Sequence, residues 1–180
     1  MNKPHELKEE FSDGTYSIYS LNHEGKSQKR IKCSQETICV VPFDLNEIGQ
    51  IRNLYLMKYQ DPLSGSDEFS CMLHDFDHNV NDSYSKLISE MIQKTFNIDS
   101  LKLDDLYYLG EVKHNLPFSK TYRCYGINLN DYLDSRNQLT TSPFGIGEIE
   151  KIRVNRAIKG ELPDSLVLCC SMLLLSYFSE

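Results

Sequence analysis

The spacing of apolar positions changes period several times along the chain. Residues 15–21 alternate polar and apolar side chains, which predicts a half-buried strand, and 28–33 supply a partner across a turn at His23-Glu24-Gly25-Lys26. The run Thr37-Ile38-Cys39-Val40-Val41-Pro42-Phe43 is apolar and β-branched, so a buried strand is expected there. A turn over 46–50, with Gly49 inside it, leads to a returning strand over 51–59. Asp61-Pro62-Leu63-Ser64-Gly65-Ser66 reads as a loop.

The period then lengthens. Tyr84, Leu87, Ile88, Met91, Ile92 and Thr95 recur at offsets of three and four and make one apolar stripe, which predicts a helix over 83–96. Asn81, Asp82 or Ser83 can cap its start, and Asn97 can stop it in the left-handed conformation. Strands follow near 106–113 and 121–129. A polar stretch with Gly145 and Gly147 leads into a helix expected over 148–159, which Gly160 would end. Pro163-Asp164-Ser165 caps a last helix that is apolar nearly all round and is therefore expected to be buried. Strands, a helix, strands and two helices predict an α/β chain of the α+β sandwich kind: a mixed sheet flanked by helices, preceded by an N-terminal β-hairpin. The expected division is a hairpin region at 1–34 and a domain at 35–180, forming one unit.

The chain has 180 residues, enough for one well-buried core, with 40% hydrophobic and 25% charged residues. Its formal charge of −7 and the lack of any long basic run disfavour a nucleic-acid or anionic-membrane surface, since both bind through clustered Lys and Arg. The N-terminus has no apolar core of a secretory signal, and the apolar stretch at 166–178 is short for a membrane span. Six cysteines occur without a Cys-x-x-Cys pair, which argues against a zinc ribbon or thioredoxin motif. Free cysteines in apolar elements behave as small hydrophobes, and a reducing, cytoplasmic setting fits them. Cys71 with His74 or His114 is a conceivable nucleophile and base, but core packing is the stronger reading of that thiol.

Two flanking segments carry a family resemblance. Tyr55-Leu56-Met57-Lys58-Tyr59-Gln60-Asp61-Pro62 resembles the strand ending in Arg-Gln-Tyr-Arg-x-Pro in Nudix proteins of the ADP-ribose pyrophosphatase branch; Tyr59 and Pro62 match it. Ile158-Lys159-Gly160-Glu161-Leu162-Pro163-Asp164-Ser165 resembles that branch's Gly-Glu-Ile-x-Asp turn through Gly160, Glu161 and Asp164. The resemblance covers roughly residues 35–178 and implies a Nudix-like fold. The family's box runs Gly, five residues, Glu, seven residues, Arg-Glu, an aliphatic residue, any residue, Glu-Glu, any residue, Gly. Its carboxylates hold magnesium against a pyrophosphate, because hard oxygen ligands suit that ion.

Anchored on Glu90, the box finds Asp75 at the glycine, Asn81 at the first Glu, Ser89 at the Arg and Met91 at the aliphatic position. Gln93 and Lys94 then stand at the paired Glu positions, with Phe96 or Asn97 at the final glycine. One acid of the helical set survives, and an ammonium at Lys94 opposes a cation. The loop at 116–121, which often supplies a catalytic Glu in the branch, carries no acid, and Gln60 replaces an Arg expected to grip phosphate.

These departures imply a catalytically degenerate Nudix-like domain that acts by binding a protein assembly, a phage virion component included, or a nucleotide-derived ligand. Glu90 is the one candidate catalytic acid, and ligand contacts are expected at Gln60, Gln93, Lys94 and Ser119. No cofactor is expected. The alternative is an active hydrolase of a nucleoside diphosphate derivative that uses magnesium or manganese in a rearranged site. His74, Asp75, Asp77 and His78 are its candidate ligands, although a solvated loop explains them more simply. No nucleic-acid or membrane partner is expected. A homodimer through residues 15–33 is, because two alternating strands do not bury a face by themselves. The location expected is cytoplasmic or within a virion.

Overall fold

Successive side chains of a strand point to opposite faces, and through the middle of this molecule both faces are covered. The computed structural model describes residues 6–13, 16–23, 26–76, 83–114, 118–133, 148–162 and 164–179. Within them the order is β1 (Glu6–Ser12), β2 (Tyr16–His23), β3 (Lys26–Leu45), β4 (Ile51–Gln60), β5 (Asp67–Ser70), β6 (Met72–Phe76), α1 (Tyr84–Phe96), β7 (Leu106–His114), β8 (Phe118–Asn128), β9 (Glu148–Arg153), α2 (Val154–Ile158) and α3 (Ser165–Tyr177). A single 3-10 turn, Leu103–Asp105, precedes β7.

β3 is the hub of one mixed sheet. It pairs antiparallel with β2, β4 and β6 and parallel with β8. β4 carries β5 and β9 antiparallel, and β7 lies antiparallel on β8. Ile38 and Val40 join Ile88, Ile92 and Phe96 of α1 in one core. Cys39, Val41 and Phe43, one step out of phase, join Ala157 of α2 and Val167, Cys170 and Leu174 of α3 in the other. The mixed sheet flanked by helices is thus present. So is the N-terminal hairpin, whose β2–β3 register runs from Tyr16↔Cys33 to His23↔Lys26. A further strand, β1, extends it on the outer side of β2. β3 continues unbroken through residues 34 and 35 into the core. Polar Glu36 gives no strand signal, yet it pairs with Phe76 of β6 on one side and Thr121 of β8 on the other.

The helix over 83–96 forms as its spacing predicts. Ser83 accepts a hydrogen bond from the Lys86 backbone N–H at the start, and Ile88, Met91, Ile92, Thr95 and Phe96 are buried while Leu87 is half-buried. Asn97 ends it in the left-handed region at φ 52°, ψ 51°, with its own N–H on the Gln93 carbonyl. Asn tolerates that conformation better than residues whose side chains cannot bond locally. Asn97→Ala is expected to cost about 1 kcal/mol and Asn97→Gly to be neutral or stabilising, as read from urea midpoints.

Residues 148–159 depart from the expected helix. The first half is strand β9, paired with β4 from Asn53↔Arg153 to Lys58↔Glu148, and only Val154–Ile158 is helical. Ile149 and Ile152 lie three apart, which suggests a helical stripe. In a strand, three is an odd step, so the two face opposite sides. Ile149 enters the α1 core and Ile152 the α3 core. The open edge of β4 supplies ladder partners that outweigh helix propensity. Gly160 ends α2 with φ +69°, as expected.

The last helix departs in its burial. α3 is apolar around its circumference, but it lies on one surface of the sandwich and buries only Leu166, Val167, Cys170, Ser171 and Leu174. Cys169, Met172 and Tyr177 are exposed. No described helix is long and apolar enough to cross a membrane.

Candidate functional site

Two polar networks occupy the sheet surface that α1 covers, one near each end of the helix. At the C-terminal end, Phe96 meets the Tyr55 ring edge-on at 5.8 Å. The Tyr55 hydroxyl donates to Asp44 at 2.8 Å, Asn53 Nδ2 donates to both oxygens of that carboxylate at 2.7 and 3.0 Å, and Lys151 Nζ lies 2.7 Å from it. Strand pairing builds this group, since β4 lies between β3, which brings Asp44, and β9, which brings Lys151. Burial raises the Asp44 pKa, but the bonds from Lys151, Tyr55 and Asn53 outweigh it and hold the carboxyl below its ordinary range. The Tyr55 phenol moves up, through burial and the carboxylate beside it.

A stability consequence follows from the sign of the Asp44 shift. A depressed folded-state pKa stabilises above the unfolded value and is lost as pH falls through the folded one. Wild type is expected to lose stability more steeply than Asp44→Asn between about pH 5 and pH 2, in denaturant titrations at each pH.

At the N-terminal end, Glu36 of β3 receives Arg123 of β8 in a two-point pair, Nε at 2.7 Å and Nη2 at 3.1 Å. The Tyr84 hydroxyl adds a bond at 2.6 Å, and the guanidinium lies 5.2 Å from the Tyr84 ring centre. Burial and the Glu36 carboxylate push the Tyr84 phenol up to about 12. The Glu36 bond also raises the Arg123 pKa. The Tyr125 ring packs at a tilt of 53° against that of Tyr108, 5.2 Å between centres, and Tyr108 is half exposed. Every charge in both networks is matched, which suits bracing of α1 on the sheet more than proton transfer.

A separate cleft of about 800 Å³ opens where the β3–β4 turn, the segment after β8 and the β9–α2 junction converge. Asn46, Arg52, Asn130, Arg153 and Asn155 line it, with Glu47. Both arginines are exposed, and neither makes an ion pair with another described residue. Guanidiniums flanked by amides match the geometry of phosphate or carboxylate oxygens. The pairing Asn53↔Arg153 brings residues a hundred positions apart to one wall, so no local signal in the sequence marks this cleft.

The candidate residues from the sequence are dispersed. Glu90 is half exposed on α1, and its carboxylate lies 4.0 Å from Lys86. Gln93 is half-buried and Lys94 exposed on the same helix. Gln60 ends β4 and donates to the Gly65 carbonyl at 3.0 Å, which closes the loop at 61–66. His74 and Asp75 are in strand β6, not in a loop, and as neighbours on a strand they face opposite sides. Asp75 accepts from Thr37 and from Lys120 Nζ, the latter at 2.9 Å. Burial raises its pKa, but those two bonds outweigh it and leave the carboxyl below its usual value. Asp77, His78, Asn81 and Asp82 lie outside the described residues, as do Gly145 and Gly147. Ser119 is on β8, with its side chain outside the described part. Among the described residues, no hydrogen bond or ion pair joins Glu90, Gln93 or Lys94 to Gln60, His74 or Asp75.

No protein-family model matches the sequence, and no curated protein matches it. Similarity lies in three dimensions. An ADP compounds hydrolase superposes with TM-score 0.63 at 11% identity, covering 99% of this chain and 96% of that one. The C-terminal domain of mouse MUTYH, solved in complex with human PCNA, gives TM-score 0.54 at 17% identity over 82% of this chain and 91% of that one. The NUDIX domain of Shewanella oneidensis NrtR, complexed with ADP ribose, gives TM-score 0.53 at 11% identity over 79% and 86%. With its mixed sheet held between α1 and the α2–α3 pair, the chain has a Nudix fold.

Proposed function

We propose that the protein binds a nucleoside diphosphate derivative of the ADP-ribose kind and does not hydrolyse it by the magnesium-dependent route. The composition of α1 supports this reading most. Glu90 is the one carboxylate in the helix, beside Lys86 and Lys94. Magnesium takes oxygen ligands in near-octahedral geometry and leans on carboxylates together with substrate phosphates.

The helix cap bears on how the Nudix pattern aligns. Asn97 adopts the conformation that suits the pattern's final glycine. With the glycine placed there, Glu90 stands at the arginine, Met91 at the glutamate after it, and Lys94 and Thr95 at the paired glutamates. Fully buried Ile92 then takes the aliphatic position. In this register no glutamate of the helical set remains, and the register anchored on Glu90 keeps one.

Arg52 and Arg153 share one cleft and can meet the ligand's phosphates together, while Lys94 on α1, with Gln93, Gln60 and Ser119, is the contact that the family resemblance implies. Titration calorimetry with ADP-ribose and dinucleotides, with and without magnesium, tests the reading. Binding indifferent to magnesium is expected, weakened either by Lys94→Ala or by Arg52→Ala with Arg153→Ala. The lack of any binding at ~1 mM ligand, about −4 kcal/mol, sinks it.

A protein partner is the second reading. The apolar side chains of Met172 and Tyr177 on the outer surface of α3 favour it. Homodimerisation through residues 15–33 belongs to the same reading, and a monomeric mass by light scattering removes it.

A further inference from the structure

Four of the six thiols gather in the core beneath α3. Cys39 of β3, Cys71 between β5 and β6, Cys124 of β8 and Cys170 of α3 are all buried. The Cys170 sulfur is 3.5 Å from that of Cys39 and 3.4 Å from that of Cys124. All three sulfurs lie within 4.8 Å of one another, and no other group of three or more His, Cys, Asp or Glu among the described residues is so close. Cys71 is buried in the same core but outside that group of three.

The register explains the convergence. Cys39 and Cys124 are direct partners on the parallel strands β3 and β8, and Cys39 pairs with Leu73, two residues beyond Cys71. α3 then lowers Cys170 onto them. Three segments distant in sequence each deliver one sulfur to one point, and Cys71 lies in the same core beside them.

We propose that these thiols form a closed, four-coordinate site for one soft d10 cation of the zinc class, with Cys39, Cys124 and Cys170 as ligands and Cys71 in the fourth position. A tetrahedral ion with bonds of ~2.3 Å holds its sulfurs roughly 3.8 Å apart, so the Cys170 separations from Cys39 and Cys124 widen by only a few tenths of an ångström, whereas the Cys71 sulfur, outside the 4.8 Å group, moves inward to complete the shell. Sulfur donors without a carboxylate or imidazole select a thiophilic metal over magnesium or calcium. As each metal–sulfur bond forms, the ligating thiol passes its proton to solvent, and the metal changes neither charge nor redox state. Burial on all sides leaves no open coordination position, so the site is structural, joining α3 to β3 and β8. It is independent of the ligand reading above, because these residues lie in the α3 core and not among the proposed ligand contacts.

The test uses the reduced full-length chain, stripped with chelator, then titrated with zinc, cadmium or cobalt both folded and during refolding. The expected result is about one ion per chain, a sulfur-to-metal charge-transfer band with cobalt, and a raised Tm. Cys169→Ser, on the exposed side of the same helix, keeps this behaviour, whereas Cys170→Ala and Cys124→Ala lose it. Should those two variants fail to fold, X-ray absorption on the loaded wild type decides. A shell of sulfurs alone at roughly 2.3 Å is expected, and nitrogen or oxygen neighbours overturn the site. So does the absence of stoichiometric uptake, including the case in which mild oxidation links two of these thiols while no metal binds.

Discussion

Incubated with ADP-ribose and magnesium, the purified protein is expected to give no product above background. The expected effect is large, because enzymes accelerate such reactions by about a millionfold or more, and most of that depends here on a metal clamp over the phosphates. α1 offers Glu90 alone, already 4.0 Å from Lys86, with the Lys94 ammonium one turn further on. An ammonium at a cation position repels the ion as well as leaving a ligand vacant. Residues that hold one metal act as a unit, so single restorations add little. Lys94→Glu alone is expected to recover no turnover. Lys94→Glu with Gln93→Glu tests the register anchored on Glu90, and with Thr95→Glu and Met91→Glu the register set by Asn97. Met91 and Thr95 are buried, so the second combination also lowers stability until metal binds. Product detection with magnesium and manganese is the measurement. Turnover by the wild type that Glu90→Gln abolishes refutes the degenerate reading and returns attention to His74, Asp75, Asp77 and His78.

Phe43→Ala is expected to destabilise the fold by about 3–5 kcal/mol, a large share of the ~5–15 kcal/mol that a domain of this size possesses. Phe43 is fully buried in β3, beside the β8 register point Asn128. Its ring lies 5.2 Å from Phe178 and 6.0 Å from Tyr107, so it joins the end of α3 to β7 across the sheet. The packing is close: a Cβ built on Gly126 would sit 3.2 Å from the Phe43 ring and 2.6 Å from Leu174. The neighbours are strand backbone and rings, which relax little into a vacancy, and the cost therefore includes a cavity as well as the lost transfer energy. Urea denaturation should show a lower midpoint with an unchanged slope. A loss under about 1 kcal/mol means that α3 and β7 collapse into the space, and that this core is looser than its contacts indicate.

The helix α1 was legible because one element carries its own signals: a three-four stripe, a Ser at the start and an Asn at the end. The turn at 46–50 was legible for a similar reason, since Asn46 receives bonds from Ile48 and Gln50 and Gly49 takes a positive φ. β1, the middle of β3 and β9 were not. Their polar residues are held by partners on neighbouring strands, and the strength of a ladder depends on what lies alongside, not on the residues within it. α3 shows the same limit for burial, because ten apolar residues in a helix of thirteen do not say how many faces a neighbour covers.

The candidate site divides along the same line. That α1 has one carboxylate and two lysines is a matter of residue order, and any fold in which 84–96 is helical inherits it. The matched charges of Asp44 with Lys151 and of Glu36 with Arg123 are not, nor is the cleft at Arg52 and Arg153 or the meeting of Cys39, Cys124 and Cys170. Each joins residues tens of positions apart. Local spacing carries information over a few residues, through helical and strand periods, whereas strand order and register set which distant side chains share one point in space.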